Sequence, residues 1–143
     1  MIEFKSLDEL SPQHVHHLFK LRVDTFVVEQ QCPYNEIDDQ DAHPDTRHVL
    51  AWEGDVLAGC ARVFPTEEGS RFGRYVIHPA FRGTGLGHQI VPAAIEYSQR
   101  WPGDLVIEAQ AGLVDYYSQF GLVAEGEEFD DAGIMHRRMR LKR

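Results

Sequence analysis

The sequence predicts a mixed α/β domain of the α+β kind, with a mostly antiparallel central sheet flanked by helices. Three observations lead there. Segments of strand and helix character follow one another roughly in the order β-α-β-β-β-α-β-α-β-β, which suits neither a helix bundle nor a β-sandwich. Only two strand-to-strand connections pass through a central helix, too few for a fully parallel, doubly wound sheet. The 143 residues, 43% hydrophobic and 26% charged, fit one globular domain over residues 1–143, with no repeat or Pro/Ser-rich linker to divide them.

Each element has a local reason. Residues 2–5 have the content of a short strand. Ser11 and Pro12 mark a helix start, a hydroxyl cap followed by a proline whose missing N–H costs nothing in the first turn. Val15, Leu18, Phe19, Val23, Phe26 and Val27 recur at helical spacing, so one amphipathic helix is expected to about Gln30, stopped by Pro33. The acidic segment 32–45 follows, with Glu36, Asp38, Asp39, Asp41 and Asp45 and no Lys or Arg. It reads either as a solvated loop or as the wall of a groove that attracts a cationic amine. Residues 48–52 and 56–64 read as strands joined by a turn at Glu53-Gly54-Asp55, and 72–78 as a third strand ended by Pro79. A glycine-rich turn at 82–87 opens a helix carrying Ile90, Val91, Ala94 and Ile95, which Trp101-Pro102-Gly103 breaks. Residues 105–109 form a short apolar run, a buried strand, and 112–120 a short helix closed by Gly121. Residues 122–129 and 134–141 flank Asp130-Asp131-Ala132-Gly133, a hairpin signal.

With 14 Lys and Arg against 23 Asp and Glu, the formal charge is −9, which disfavours general nucleic-acid binding. The one basic cluster is Arg137, Arg138, Arg140, Lys142 and Arg143. No apolar run nears the ~20 residues of a membrane span. Met1-Ile2-Glu3-Phe4-Lys5 lacks the basic start and apolar stretch of a signal peptide. Cys32 and Cys60 belong to no CxxC pair and read as reduced thiols, so a cytoplasmic protein without membrane or nucleic-acid partners is expected. His14 and His17 could share a helix face with His16 beside them, but no third ligand has metal-site spacing, so exposed histidines and no metal are expected.

The most informative chemistry is Arg82-Gly83-Thr84-Gly85-Leu86-Gly87-His88, between a strand and a helix. Glycines let the backbone turn sharply and let a ligand come close, while N–H groups at the helix start point outward at its positive dipole end. That is an anion site suited to a diphosphate, and Arg82 adds a charge for phosphate oxygens. A Walker A loop needs GxxxxGK[ST], and no Lys follows Gly87. A dinucleotide fold wants GxGxxG with an acid ~20 residues on; Glu108 lies roughly that far along, but the glycine spacing is GxGxG. A coenzyme A pyrophosphate loop, [RQ]xxGx[GA], is filled by Arg82, Gly85 and Gly87. A glycine turn with no ligand is the remaining alternative.

With its neighbours, the turn resembles the GNAT-type N-acetyltransferases. Tyr75-Val76-Ile77-His78-Pro79 followed by residues 82–87 resembles that superfamily's fourth strand and acetyl-CoA loop. Tyr116-Tyr117-Ser118-Gln119-Phe120-Gly121-Leu122 resembles its aromatic-Tyr-x-x-x-Gly-Phe segment, with Leu122 for the commoner Phe. A narrower resemblance, to the ElaA-like branch of small bacterial acetyltransferases, covers nearly the whole chain. It is carried by Arg22, residues 26–30, Cys32-Pro33-Tyr34, Asp38 with Asp41, Arg47-His48, Gly73-Arg74, Ala109-Gln110-Ala111, and Gly133-Ile134 with His136.

The resemblance implies direct transfer of an acetyl group from acetyl-CoA, a co-substrate, to an amine of a small molecule or peptide, in a ternary complex and without a metal. It assigns cofactor binding to Tyr75, Val76, Ile77, Arg82, Gly83, Thr84, Gly85, Leu86, Gly87, His88, Gln110 and Tyr117. Gln110 stands where many members carry an Asn. A backbone N–H near Val76 or Ile77 would polarise the thioester carbonyl. Tyr117, whose phenol type titrates near ~10, would return a proton to the thiolate, while Tyr116 is expected in the core. His48, His136 and Glu108 are the candidate bases for the amine proton, taken directly or through water, with Glu29, Asp38 and Asp39 as competitors. The acceptor's identity and the acyl length stay open, and a homodimer is the default assembly. A non-catalytic acyl-CoA sensing module on the same fold is the alternative, but such a module could lose Tyr117 freely. A nicotinamide-dependent oxidoreductase is disfavoured by the glycine spacing.

Overall fold

Among the described residues, seven strands form one sheet: β1 (Ile2–Lys5), β2 (Arg47–Glu53), β3 (Val56–Thr66), β4 (Gly69–Ile77), β5 (Asp104–Gln110), β6 (Val123–Asp131) and β7 (Ile134–Leu141). Their order across the sheet is β1-β2-β3-β4-β5-β7-β6. Every neighbouring pair is antiparallel except β4 and β5. The expected element order and the mostly antiparallel sheet are both observed. The structure, a computed structural model, describes residues 1–32 and 35–143, so the expected stop at Pro33 and the likeness at Pro33-Tyr34 lie outside the described residues.

Among the described residues, four α-helices accompany the sheet: α1 (Pro12–Arg22), α2 (Asp39–Ala42), α3 (Gly87–Ser98) and α4 (Val114–Ser118). The Ser11 hydroxyl caps α1, accepting from the His14 N–H at 3.1 Å. Side chains alternate along β2, and this divides the core in two. Val49 and Ala51 pack with Ile90, Val91 and Ala94 of α3 and with Tyr117 of α4. Leu50 and Trp52 pack on the opposite face with Leu18 and Leu21 of α1. Each such fully buried aliphatic side chain stabilises the fold by about 1.5–3 kcal/mol. The apolar run of β5 is explained the same way: Leu105, Val106 and Ile107 are all buried, because the strand lies mid-sheet.

Three features depart from the sequence reading, and each shapes the site. The helix expected to reach Gln30 leaves α geometry at Val23 and continues as a π-helical stretch, Val23–Glu29, ending with the Gln30 N–H on the Thr25 carbonyl at 2.8 Å. The wider turn rotates the side chains out of the 3.6-residue phase, so Thr25 and Phe26 are buried while Val27 is exposed. The acidic segment, read either as a solvated loop or as a groove wall, forms α2, turns Glu36 and Asp41 inward and lends Cys32 and Asp38 to the lining of a hollow. The third strand begins at Gly69, earlier than expected, and pairs with β5 only at Gly69↔Asp104, Ser70↔Leu105 and Arg71↔Val106. Beyond Arg71 the two strands part. On its other side β4 is bulged against β3, with a register shift between Cys60 and Arg62 opposite Arg74, whose φ is +51°.

Candidate functional site

Two hollows meet where β4 and β5 part. One, about 550 Å³, lies over the glycine turn against Ile77, Phe81 and Tyr116. The other, about 260 Å³, lies among Phe26, Phe72, Glu108, Gln110, Tyr117 and His136. Tyr75 and Leu113 line both, so the two hollows are neighbours that share these side chains.

The glycine turn is built for close approach. Gly83 and Gly85 hold φ of +80° and +84°, and nothing stands within 4 Å of where a Cβ at either would lie. Their backbone is therefore bare toward the hollow. Thr84 closes the turn by donating its hydroxyl to the Phe81 carbonyl at 2.6 Å. The twelve-residue α3 starts at Gly87 and aims its positive dipole end at the same space. At Gly87 the reason for glycine differs: a Cβ would overlap the hydroxyls of Tyr75 and Tyr116. Those two hydroxyls bond each other at 2.9 Å. Leu86 is buried against the core, and His88 packs edge-on against Tyr116, ring centres 5.9 Å apart. Val76 stands apart from the group, lining neither hollow and packing with Leu18 and Phe26 on the other face.

The β4 backbone discriminates between the two expected carbonyl donors. The His78 N–H donates to the Ala58 carbonyl at 2.8 Å, and the register is Gly59↔Ile77 and Cys60↔Val76. Antiparallel bonding alternates, so Val76 turns its N–H to β3 and Ile77 turns its own toward the split. Arg82 Nε reaches the Ile77 carbonyl on that same side at 3.0 Å. The rest of the Arg82 guanidinium is clasped by Glu29, with both Nη atoms 2.9 Å from the carboxylate oxygens.

Tyr117, 6% exposed, lies in the wall of the smaller hollow, and burial followed by the nearness of Tyr116 pushes its phenol well above the ordinary value. His136 lines the same hollow from β7, opposite Gln110 in the strand register. Its Nδ1 lies 2.8 Å from the Ile134 carbonyl. A carbonyl only accepts, so Nδ1 carries the hydrogen and Nε2 of the neutral ring is left to accept a proton. Glu108 lies at the rim, its carboxylate 2.8 Å from Arg71. Gln110 donates to the Gln30 side-chain oxygen at 2.9 Å.

His48 is not brought to this place. It is 0% exposed, its Nε2 is 3.0 Å from the Asp41 carbonyl, and it lines neither hollow. Burial depresses its basicity, and β2 turns it beneath the acidic segment rather than toward the split. Of the competitors, Asp38 does line the smaller hollow, where Arg62 holds it as Arg71 holds Glu108; Glu29 is held by Arg82, and Asp39 is exposed.

Sequence reasoning gave no role to four arginines, Arg22, Arg62, Arg71 and Arg74, although Arg22 and Arg74 were among the residues that carry the family resemblance. Arg22 pairs with Glu36 and Asp41, both at 2.7 Å. Arg62 pairs with Asp38 at 2.7 Å and Asp41 at 3.0 Å, and Arg74 with Glu36 at 3.0 Å. Arg62, Arg71 and Arg74 all line the smaller hollow. The signal was present: Arg22 interrupts an apolar helix face and Arg62 an apolar strand, and long cations in such places are rarely buried unless paired. Among the described residues no group of three or more His, Cys, Asp or Glu is placed to hold a metal ion, and no helix is long and apolar enough to cross a membrane. His14 and His17 instead lie against Trp52, ring centres 4.4 and 5.9 Å away.

A family model described as an acetyltransferase (GNAT) domain matches residues 6–143. Protein ElaA of Escherichia coli strain K12 is 36% identical, covering 95% of this chain and 94% of that protein. The crystal structure of Escherichia coli ElaA matches with a TM-score of 0.90 at 34% identity, covering 99% of this chain and 100% of that one. An acyl-CoA N-acyltransferase from Pseudomonas aeruginosa matches with a TM-score of 0.90 at 35% identity, covering 98% and 97%.

Proposed function

The chain belongs to the GNAT acetyltransferase family, in its ElaA-like branch, and from that membership we propose that it transfers an acetyl group from acetyl-CoA directly to the amine of a small molecule or peptide. The observation that carries the reading is that the hollow over the glycine turn and the smaller hollow lie side by side, sharing Tyr75 and Leu113. A donor lying over the turn is thereby set next to an amine in the smaller hollow. The residues fit a CoA donor, because Gly83 and Gly85 bare the backbone just where α3 presents its N-terminus.

Bound acyl-CoA supplies an activated acyl carbon on a thiol leaving group. The chain supplies the rest. The Ile77 N–H, turned into the split, donates to the thioester oxygen as negative charge grows there. His136 Nε2 accepts the proton that the amine must lose, directly or through a water, and Glu108 at the rim is the second base within the same hollow. As the N–C bond forms and the C–S bond breaks, Tyr117 gives its phenolic proton to the sulfur. A phenol is protonated at neutral pH, as an acid requires, and burial holds the Tyr117 proton more tightly than water would until charge develops on the sulfur. The smaller hollow, about 260 Å³, holds the amine in contact with the acyl carbon, and such placement is itself a large part of the rate. Two buried free cysteines, Cys32 and Cys60, support a reducing, cytoplasmic compartment.

Calorimetric titration with acetyl-CoA and, separately, with NADH tests the donor class. Micromolar binding of acetyl-CoA alone is expected, followed by thiol release in a screen of amines. Lack of acetyl-CoA binding would sink the proposal.

A further inference from the structure

Glu29 and Gln30 end the π-helical stretch, and each holds a group that the donor reading assigns to acyl-CoA. Glu29 clasps both Nη atoms of Arg82, 53 positions along the chain, and Gln30 takes the amide of Gln110, 80 positions along. The first link runs to the glycine turn that follows β4 and the second to the end of β5, so the pair of residues straps the two sides of the split together. The same stretch carries Phe26, which forms part of the smaller hollow.

A carboxylate on the two Nη atoms of an arginine has the fork geometry that a phosphate also takes. Arg82 cannot offer its third nitrogen instead, because Nε is on the Ile77 carbonyl. Glu29 and a diphosphate therefore ask for the same two N–H edges. The incumbent is weakly held: the side chains of Glu29 and Arg82 are 46% and 43% exposed, and ion pairs in water contribute little. The hydrogen bond from Arg82 holds the Glu29 carboxyl below its usual range, so it competes as an anion at neutral pH.

We infer that Glu29 is a positioning residue that occupies the phosphate-facing edge of Arg82, so that acyl-CoA binding releases the Glu29 carboxylate and with it the strap over the acceptor hollow. The inference rests on the donor reading above. It makes the loop selective for anions more highly charged than a carboxylate, and it ties arrival of the donor to a movement in the wall that the acceptor meets.

The test is calorimetric titration of acetyl-CoA into wild type, Glu29→Gln, Arg82→Ala and the double variant. Glutamine keeps the shape and removes the charge, so Glu29→Gln is expected to tighten acetyl-CoA binding roughly two- to fivefold, the range an exposed ion pair represents. In the Arg82→Ala background the same change is expected to do nothing. Unchanged or weaker binding by Glu29→Gln, with wild type binding normally, overturns the inference and leaves the donor reading standing. Absence of binding by wild type removes both. Hydrogen exchange gives a readout that does not depend on affinity. The Gln30 and Cys32 amides, now bonded to the Thr25 and Phe26 carbonyls at 2.8 and 2.9 Å, should exchange faster with acetyl-CoA present. Slower or unaltered exchange contradicts release of the strap.

Discussion

Tyr117 sits among other aromatic rings, with centres 5.3 Å from Tyr116, 6.3 Å from Tyr75 and 6.4 Å from Phe72. Phenylalanine keeps that packing and loses only the proton. Tyr117→Phe should therefore lower kcat by about 10²-fold, the smaller end of what a positioned acid contributes, while the Kd for acetyl-CoA stays nearly constant. Equal turnover, followed by thiol release, would reduce Tyr117 to a packing residue. Two glycines of the turn should fail in different ways. Gly85→Val places a branched side chain into open space at φ +84°, and is expected to weaken acetyl-CoA binding by blocking the hollow and straining the turn. Gly87→Ala drives a methyl into the hydroxyls of Tyr75 and Tyr116, an overpacking cost of about 1–3 kcal/mol that thermal unfolding should register together with weaker binding. The turn was legible in the sequence because glycine spacing is local. The reason for Gly87 was not, since it depends on Tyr116 arriving from another element. The burial of His48 was hidden likewise, because one sequence does not say which face of an edge-near strand a segment between strands will cover.

At the scale of elements, the strands were legible to within a few residues: β1 and β7 have the expected bounds, and the others differ at their ends. The hairpin signal also predicted well, since Ala132 and Gly133 both take positive φ, at 55° and 86°, as a tight two-residue connection requires. What the pattern could not carry was the π-helical stretch, the parting of β4 from β5 and the inward turn of the acidic segment. All three are settled by partners distant in sequence. Arg22 shows this most clearly. It closes α1 with a side chain 1% exposed, and anchors a segment that begins beyond Gln30 through Glu36 and Asp41. Removing it leaves two buried carboxylates short of their cation, so Arg22→Leu should cost about 3–5 kcal/mol, the usual result of breaking one side of a buried pair. Urea unfolding measures this directly. A loss below about 1 kcal/mol would mean that the segment is anchored by Arg62 and Arg74 alone.

For the whole molecule, the buried charges make stability depend on pH in two steps with different owners. Burial lowers the basicity of His48 below its ordinary 6.5, so the unfolded chain binds a proton there that the native chain refuses. Its contribution is complete above about pH 6.5 and is lost as the pH falls below that value. Asp41 acts lower. Burial would raise its carboxyl, but the hydrogen bond and charge of Arg22, with help from the Asp38 backbone and Arg62, carry it from 3.8 to about 2. That contribution, about 2 kcal/mol, is complete above pH 3.8 and vanishes as the pH approaches 2. Glu36 opposes it, because burial raises its carboxyl above the ordinary 4.5 despite Arg22 and Arg74, so that part of the fold gains as the pH falls through that range. The expected profile is a decline beginning near pH 6.5, a shallower stretch where Glu36 offsets the loss, and a steep fall below pH 4. His48→Gln separates the steps. Its amide nitrogen can still donate to the Asp41 carbonyl, now 3.0 Å from His48 Nε2, but it cannot take up a proton. Urea midpoints measured from pH 7.5 to 3 should lose the first decline in this variant and keep the second. Wild-type and His48→Gln profiles of the same slope from pH 7.5 to 5 would mean that the ring is not held neutral by its burial, and that the ion pairs around it are loose enough to admit a charge.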